Sequence, residues 1–176
     1  MVCGGQRRIL LTALGLGLLS PWLGAQQLSS PMGPNGPVAG QGPGYHSPQS
    51  AFPPLVPRAG VVPWSTLAEV SVKFQKPKIL TTFSPAVLKL NATKVKVEGY
   101  MTPLEAGTRH RHFLLVSVPP TCPFCVPGGA ESMIEVRADK PIEYTQQAMV
   151  IEGRFQVLKD DPTGLYYRMS GAKKSK

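Results

Sequence analysis

The chain has 176 residues and a formal net charge of +9, from 19 Lys and Arg against 10 Asp and Glu. This length allows one domain with extensions, and the abundant Gly and Pro are concentrated early, so the folded part must be shorter than the chain. The positive charge suits an anionic membrane, an acidic partner or a nucleic acid, but it is also common in freely soluble proteins. No serine-hydrolase elbow, H-E-x-x-H zinc motif or phosphate-binding loop is found, which leaves these enzyme classes without support.

Residues 1–25 have the organisation of a secretory signal peptide. Arg7 and Arg8 precede an apolar run from Ile9 to Leu19, and small residues before Gln26 suit cleavage. The run is shorter than the roughly 20 apolar residues that a transmembrane helix needs, so no transmembrane helix is expected in the mature protein. The paired arginines also loosely fit a twin-arginine signal. Because they are the only charges in this segment, cleavage leaves 9 − 2 = +7, and a periplasmic or secreted bacterial protein is predicted.

Residues 26–60 are predicted to be a disordered linker. They are rich in Pro, Gly and Ser and show no apolar periodicity, so they cannot bury enough surface to offset the entropy of ordering. A flexible or polyproline-like tether is expected. His46 lies within it and is interpreted as a polar residue without a specific role. At the other end, residues 173–176 are predicted to be a frayed basic tail.

Two short helices are predicted at the start of a folded domain that spans residues 61–172. Trp64 and its neighbours in residues 63–68 have helical spacing, and Trp64 is expected to pack on the core. Residues 84–90 begin with a Ser-Pro pair, which is typical of a helix N-terminus. Residues 72–80 are ambiguous because their apolar and polar residues alternate only weakly.

Alternation with a period of two predicts five strands after the helices. The predicted strands cover residues 95–101, 112–118, 133–137, 151–157 and 165–169. Gly99 is expected to mark a bulge or bend. The predicted fold class is mainly β: a small OB-like five-stranded barrel, with short N-terminal helices that cover one end. A loop is expected in residues 138–147, where OB-type barrels usually have a helix, because this stretch contains Pro141.

Several motifs of this region resemble an uncharacterised family of exported bacterial proteins, domain of unknown function 3299. The motifs are residues 97–105, 112–115, 119–125 and 158–168. The resemblance covers roughly residues 61–172, and the loop with the two cysteines is its most specific part. It implies an envelope protein, sometimes encoded near transport systems and linked to metals. It assigns no reaction.

The Cys-Pro-Phe-Cys loop is the centre of any specific function, and a metal site is its first interpretation. Cys122 and Cys125 can bind one soft cation through both sulfurs, and a tetrahedral ion needs two more ligands. His110 and His112 are the candidates, because two residues apart on a strand they are expected to point to one face. This S2N2 set suits zinc or copper, although a single C-x-x-C is a weak signal.

Two other interpretations of the cysteine pair stay open. Cys-Pro-Phe-Cys looks like the active pair of glutaredoxin-type oxidoreductases, but residues 126–129 cannot extend a helix, and the flanking pattern is β. The pair can instead form a small structural disulfide, as two nearby thiols tend to do outside the cytosol.

The sequence therefore predicts an exported envelope accessory or binding protein and favours a non-enzyme over an enzyme. The predicted partner is an envelope protein or a transport-system component. An OB-type barrel with excess positive charge, and with tyrosines that stack on bases, could bind single-stranded nucleic acid, but export argues against it.

Overall fold

The computed structural model describes Met1, residues 39–75 and residues 78–175. The predicted signal peptide, beyond Met1, and the first part of the predicted linker lie outside the described residues, so both stay predictions. Among the described residues, no helix combines the length and apolar character needed to cross a bilayer.

The described elements are seven strands, two short α-helices and one 3-10 helix. In chain order they are α1 (Trp64–Leu67), β1 (Val70–Gln75), β2 (Lys78–Phe83), α2 (Pro85–Leu90), β3 (Lys94–Pro103), β4 (Arg109–Val116), the 3-10 helix Ala130–Ser132, β5 (Met133–Glu143), β6 (Met149–Val157) and β7 (Tyr167–Lys174).

Both predicted helices are confirmed. Trp64 in α1 is 7% exposed and belongs to the hydrophobic core. Helix α2 starts at the Ser-Pro pair, where the Ser84 hydroxyl accepts a hydrogen bond of 3.2 Å from the Val87 backbone N–H. That side-chain bond satisfies one of the backbone donors left free at a helix start. At the other end Asn91 accepts a 3.0 Å bond from the backbone of Val157, which ties the helix to β6.

Strands β1 and β2 form an antiparallel hairpin that is a sheet of its own. The hairpin occupies the stretch that was ambiguous in the sequence. Val72 and Leu80 are 40% and 42% exposed. Because large apolar residues of the hairpin stay in solvent, the alternation that usually marks a half-buried strand is weak there.

The other five strands form a closed barrel in the order β3-β4-β5-β7-β6, and β6 pairs back with β3. The β5–β7 pairing is parallel and the other four pairings are antiparallel. The last two strands are therefore exchanged in space, which gives the Greek-key connection of an OB-type barrel and confirms the predicted fold class. Residues 138–147 contain no helix; β5 continues through Pro141 to Glu143.

The barrel interior is filled by the apolar residues that alternate with polar ones along the strands. The fully buried members are Val97, Phe113, Leu115, Ile134, Val136, Ile151, Phe155, Tyr167, Met169 and Ala172. The last strand is longer than predicted, because it lies between β5 and β6 and pairs with both. Lys173 and Lys174, expected in a frayed tail, are the register partners of Glu152 and Ile151 on β6.

Candidate functional site

A disulfide joins Cys122 and Cys125 in the loop between β4 and the 3-10 helix, with a Cα–Cα distance of 5.4 Å. Cys122 is 6% exposed. The described residues 122–129 contain turns and extended chain but no helix. The cysteine pair therefore lacks the helix N-terminus that lowers the pKa of a thiol in glutaredoxin-type sites.

The two histidines of the predicted metal site do not share a face, so that expectation is wrong. A β-bulge between His110 and His112 shifts the register of β4 against β5. His110 is 1% exposed, and its Nε2 donates to the Gly107 carbonyl at 3.1 Å. The exposed His112 instead places Nε2 2.8 Å from Glu135 Oε1. Two steps along β4, from His110 to His112, correspond to five along β5, from Ile142 to Arg137. This irregularity breaks the alternation on which the prediction relied.

The structure brings Cys122 and Cys125 together but does not add the histidines to them. Among the described residues, no group of three or more His, Cys, Asp or Glu side chains is placed to hold a metal ion. Cysteine binds metals as the thiolate, and both sulfurs are instead engaged in the disulfide. The zinc or copper site at His110, His112, Cys122 and Cys125 thus stays a prediction that this arrangement does not support.

Residues 39–57, part of the predicted linker, lie against the cysteine loop and the barrel, and we call them the strap. Tyr45 and Val126 exchange two backbone hydrogen bonds of 2.8 and 2.9 Å and form an antiparallel bridge. Gly40 N–H donates to the Pro127 carbonyl at 3.0 Å. The strap is thus held mainly through its backbone, which the composition of a linker does not reveal.

Glycines allow the strap to approach the cysteine loop closely. A Cβ atom on Gly128 would lie 2.7 Å from the Gly44 nitrogen and would overlap the Gly42 carbonyl oxygen. Gly44 itself has a φ of +80°, a left-handed conformation that side-chain-bearing residues rarely adopt. Neither position can carry a side chain without a shift of the backbone.

The strap also covers the disulfide. The Ser50 hydroxyl lies 3.1 Å from Cys122 Sγ and 3.3 Å from Cys125 Sγ. Because disulfide sulfurs carry no proton, the hydroxyl is the donor in either contact. The same oxygen accepts a 2.9 Å bond from the Phe52 backbone N–H. These contacts account for the low exposure of Cys122.

Tyr100 and His46 each donate a hydrogen bond that connects the strap to the rest of the domain. Tyr100 on β3 donates from its hydroxyl to the Pro53 carbonyl at 2.5 Å, and its ring meets Phe52 edge-on at 5.5 Å. Burial, and then the charge of Glu98, raise the pKa of Tyr100. His46, interpreted as a residue without a role, donates from Nε2 to the Ser117 carbonyl at 2.9 Å. No sequence signal distinguishes His46 from an ordinary linker residue.

The tip of the cysteine loop points an aromatic side chain into solvent. Phe124, between the two cysteines, is 59% exposed. Pro119, Pro120 and Thr121 on the same loop line a small cleft of about 50 Å³, together with Tyr144, which is 39% exposed. The loop therefore combines a covalently closed tip with a neighbouring cleft that another molecule can contact.

A buried carboxylate holds a charge cluster on the outer surface of the barrel. Glu135 on β5 is 5% exposed and accepts from the guanidinium of Arg137 at 2.9 Å, from Arg168 and from His112. Burial alone would raise the pKa of Glu135, but the hydrogen bonds from Arg168, Arg137 and His112 outweigh it and lower this pKa below its usual value. Arg168 also contacts Asp161 at 3.2 Å. The cluster joins β4, β5 and β7.

Comparison with known proteins assigns the chain to a family. The sequence model of the family "Protein of unknown function (DUF3299)" matches residues 66–173. The crystal structure of a DUF3299 family protein from Pseudomonas aeruginosa PAO1 is similar to this chain with 24% sequence identity and a TM-score of 0.42, over 55% of this chain and 68% of that one. A comparison with curated proteins found no match. Because the family model matches more than half of its residues, this chain belongs to the DUF3299 family.

Proposed function

We propose that this protein is an exported, non-catalytic interaction module of the bacterial envelope. It docks onto a partner protein, such as a component of a transport system, through the disulfide-closed tip at Phe124. The observation that carries this proposal is the combination of a 59% exposed Phe124 with a 6% exposed Cys122 on the same short ring. Aromatic side chains dominate the binding energy of many protein interfaces, and a tip held rigid before binding loses little entropy when it docks.

The base of the loop supports the same function. The strap pairs with Val126 and covers the sulfur of Cys122, so that the loop is fixed from both sides. The disulfide itself favours an oxidising compartment, since nearby thiols stay reduced in the cytosol. The signal-peptide organisation of residues 1–25 supports export by an independent argument.

An oxidoreductase is less well supported. A reactive cysteine needs a stabilised thiolate and access for a substrate disulfide. Cys122 has no helix behind it and is covered by Ser50 of the strap. Reduction and reoxidation would have to open the contact between strap and loop in every cycle.

Photo-crosslinking in living cells tests the docking role. Phe124 is replaced by the photoreactive para-benzoyl-phenylalanine, which keeps the aromatic ring and extends it, and the protein is produced in its own host. We expect one discrete crosslinked product, because a rigid tip presents a single orientation to its partner. The double variant Cys122→Ser/Cys125→Ser with the same probe should give a lower yield, since its tip is no longer closed.

Leu88 on α2 provides the matched control, because it is 43% exposed and apolar but lies outside the cysteine loop. The same probe at Leu88 should not give that product. If position 124 gives no product, or the same products as position 88, the docking role is wrong. Rapid reduction of insulin by the purified protein, abolished in Cys122→Ser, would favour the oxidoreductase instead.

A further inference from the structure

A second cavity, of about 240 Å³, lies between the end of the strap, the segment around α1 and the barrel. Most of its lining is apolar, from Pro54, Leu55, Val61, Val62, Pro63 and Trp64. This cavity is separate from the cleft beside the disulfide loop, as the two share no lining residue. Its size suits a small organic group.

One carboxylate enters this apolar lining. The side chain of Glu98 on β3 is only 10% exposed, and its Oε1 lies 3.2 Å from the Arg58 guanidinium. Arg58 is the one cationic side chain that forms an ion pair with Glu98 among the described residues, and it is itself 60% exposed. A carboxylate so nearly removed from water needs a positive partner, and here that partner reaches in from the solvent side.

An indole ring lines the same cavity as this carboxylate. Trp64 donates from Nε1 to the backbone carbonyl of Glu98 at 2.7 Å, which fixes the ring against the strand that carries the carboxylate. The face of an indole attracts cations, more strongly when water is excluded. A ring, a carboxylate and proline walls together favour a positive group on an apolar stem.

We infer that this cavity binds a small organic ammonium ion, with the charged nitrogen at Glu98 and the apolar stem against Trp64 and Leu55. In the free protein the Arg58 guanidinium takes the place of that nitrogen. An anion would be repelled by Glu98, and a neutral molecule that displaced Arg58 would leave the carboxylate without a positive partner. The inference does not depend on the docking role of Phe124.

Titration of the purified protein with butylammonium tests this site. The readout is the NMR signal of the Trp64 indole N–H, whose chemical shift reports on the cavity wall. We expect a saturable shift of this signal with butylammonium. Butanol has the same stem without the charge, and we expect its affinity to be at least about tenfold lower. The Glu98→Gln variant should also bind butylammonium with about tenfold lower affinity, because the substitution keeps the shape of the side chain and removes its charge.

The Arg58→Ala variant distinguishes binding at Glu98 from a general attraction of cations to the protein. It removes the guanidinium that competes with the ligand for Glu98, so butylammonium should bind more tightly, by about threefold or more. Glu152→Gln is the matched control, since Glu152 is a carboxylate paired with lysines on another part of the barrel. It should leave the affinity unchanged. Equal binding of butanol, no loss in Glu98→Gln, or no gain in Arg58→Ala would each overturn the inference, and the last result does so even if Glu98→Gln fails to fold.

Discussion

Replacing Gly128 by Ala is expected to open the Tyr45–Val126 bridge between the strap and the cysteine loop, while the barrel stays folded. The new methyl group would lie 2.7 Å from the Gly44 nitrogen and 2.6 Å from Ser132 Cβ, and would overlap the Gly42 carbonyl oxygen. Two of these three atoms belong to the backbone of the strap, so no side-chain rotation relieves the contact. Inserting a methyl group into a packed region costs about 1–3 kcal/mol. Separation of the strap from the loop relieves the two contacts with the strap backbone, although not the contact with Ser132.

The Tyr45–Val126 bridge, one of several contacts that hold the strap, is stabilised by interactions of the same size. The two backbone bonds between Tyr45 and Val126 measure 2.8 and 2.9 Å, and each contributes about 0.5–1.5 kcal/mol net. Together they supply about 1–3 kcal/mol, which the clash at Gly128 is able to cancel. A loss of that size in the free energy of opening speeds amide exchange by roughly 5- to 150-fold when exchange follows the opening equilibrium.

Hydrogen–deuterium exchange followed by NMR measures this release at the amides of Tyr45 and Val126. Gly164→Ala is the control: its φ of +77° makes alanine strained, but no atom lies within 4 Å of the new Cβ. That variant should lose some stability without faster exchange at the two amides. Unchanged exchange in Gly128→Ala, or equal acceleration in both variants, would refute the role of the glycine contact.

Three further outcomes are expected. Tyr167→Phe should lower the free energy of unfolding by about 1–3 kcal/mol, measured by urea denaturation, because the buried Leu67 carbonyl loses its 2.5 Å bond from the tyrosine hydroxyl. The pKa of Glu135 is lower in the folded protein than in the unfolded chain. The resulting stability is present at pH values above the unfolded pKa of about 4.3, and it is lost as the pH falls through the folded pKa. Thermal melts of the Glu135→Gln variant should therefore show a smaller loss of stability at low pH. Cys122→Ser/Cys125→Ser should destabilise by less than the ~3 kcal/mol of a fifteen-residue loop, since the ring is far smaller, again by urea denaturation.

The first two of these outcomes have control variants in which the same kind of group is removed elsewhere, and the third has an outcome that would contradict it. Tyr166→Phe removes a hydroxyl from a partly buried ring that packs on the same core, and an equal loss would show that the Tyr167 bond is unimportant. Glu143→Gln removes an exposed carboxylate of β5 and should leave the acid limb unchanged. A cysteine variant that unfolds outright would contradict the view that the disulfide shapes only its loop.

The barrel was predictable because its signals are local. Val95 and Val97 on β3, and Ile151 and Phe155 on β6, are inward residues separated by polar ones. A strand with one buried and one solvent-exposed face shows the alternation of apolar and polar residues in any short stretch of sequence. The start of α2 is equally local, since Ser84 meets its partner three residues later.

The strap and the histidine positions were not predictable, for two different reasons. The strap is fixed by backbone groups and by glycines that allow close approach, so its composition resembles that of a chain that packs on nothing. The faces of His110 and His112 depend on the bulge in the pairing of β4 with β5. That bulge is a property of two paired strands, in which His112 meets Arg137 and His110 meets Ile142, and neither strand alone encodes it. Cys122 and Cys125 are only three positions apart in sequence, so their proximity could be predicted without such information.

Strand β7 has a consequence for the timing of folding. It supplies the only parallel pairing of the barrel, with β5, and also completes the antiparallel edge of β6. Until this strand is synthesised, β5 and β6 each keep an open edge, and the tyrosine at the start of β7 is missing from the core. The barrel can therefore close only after nearly the whole domain has left the ribosome.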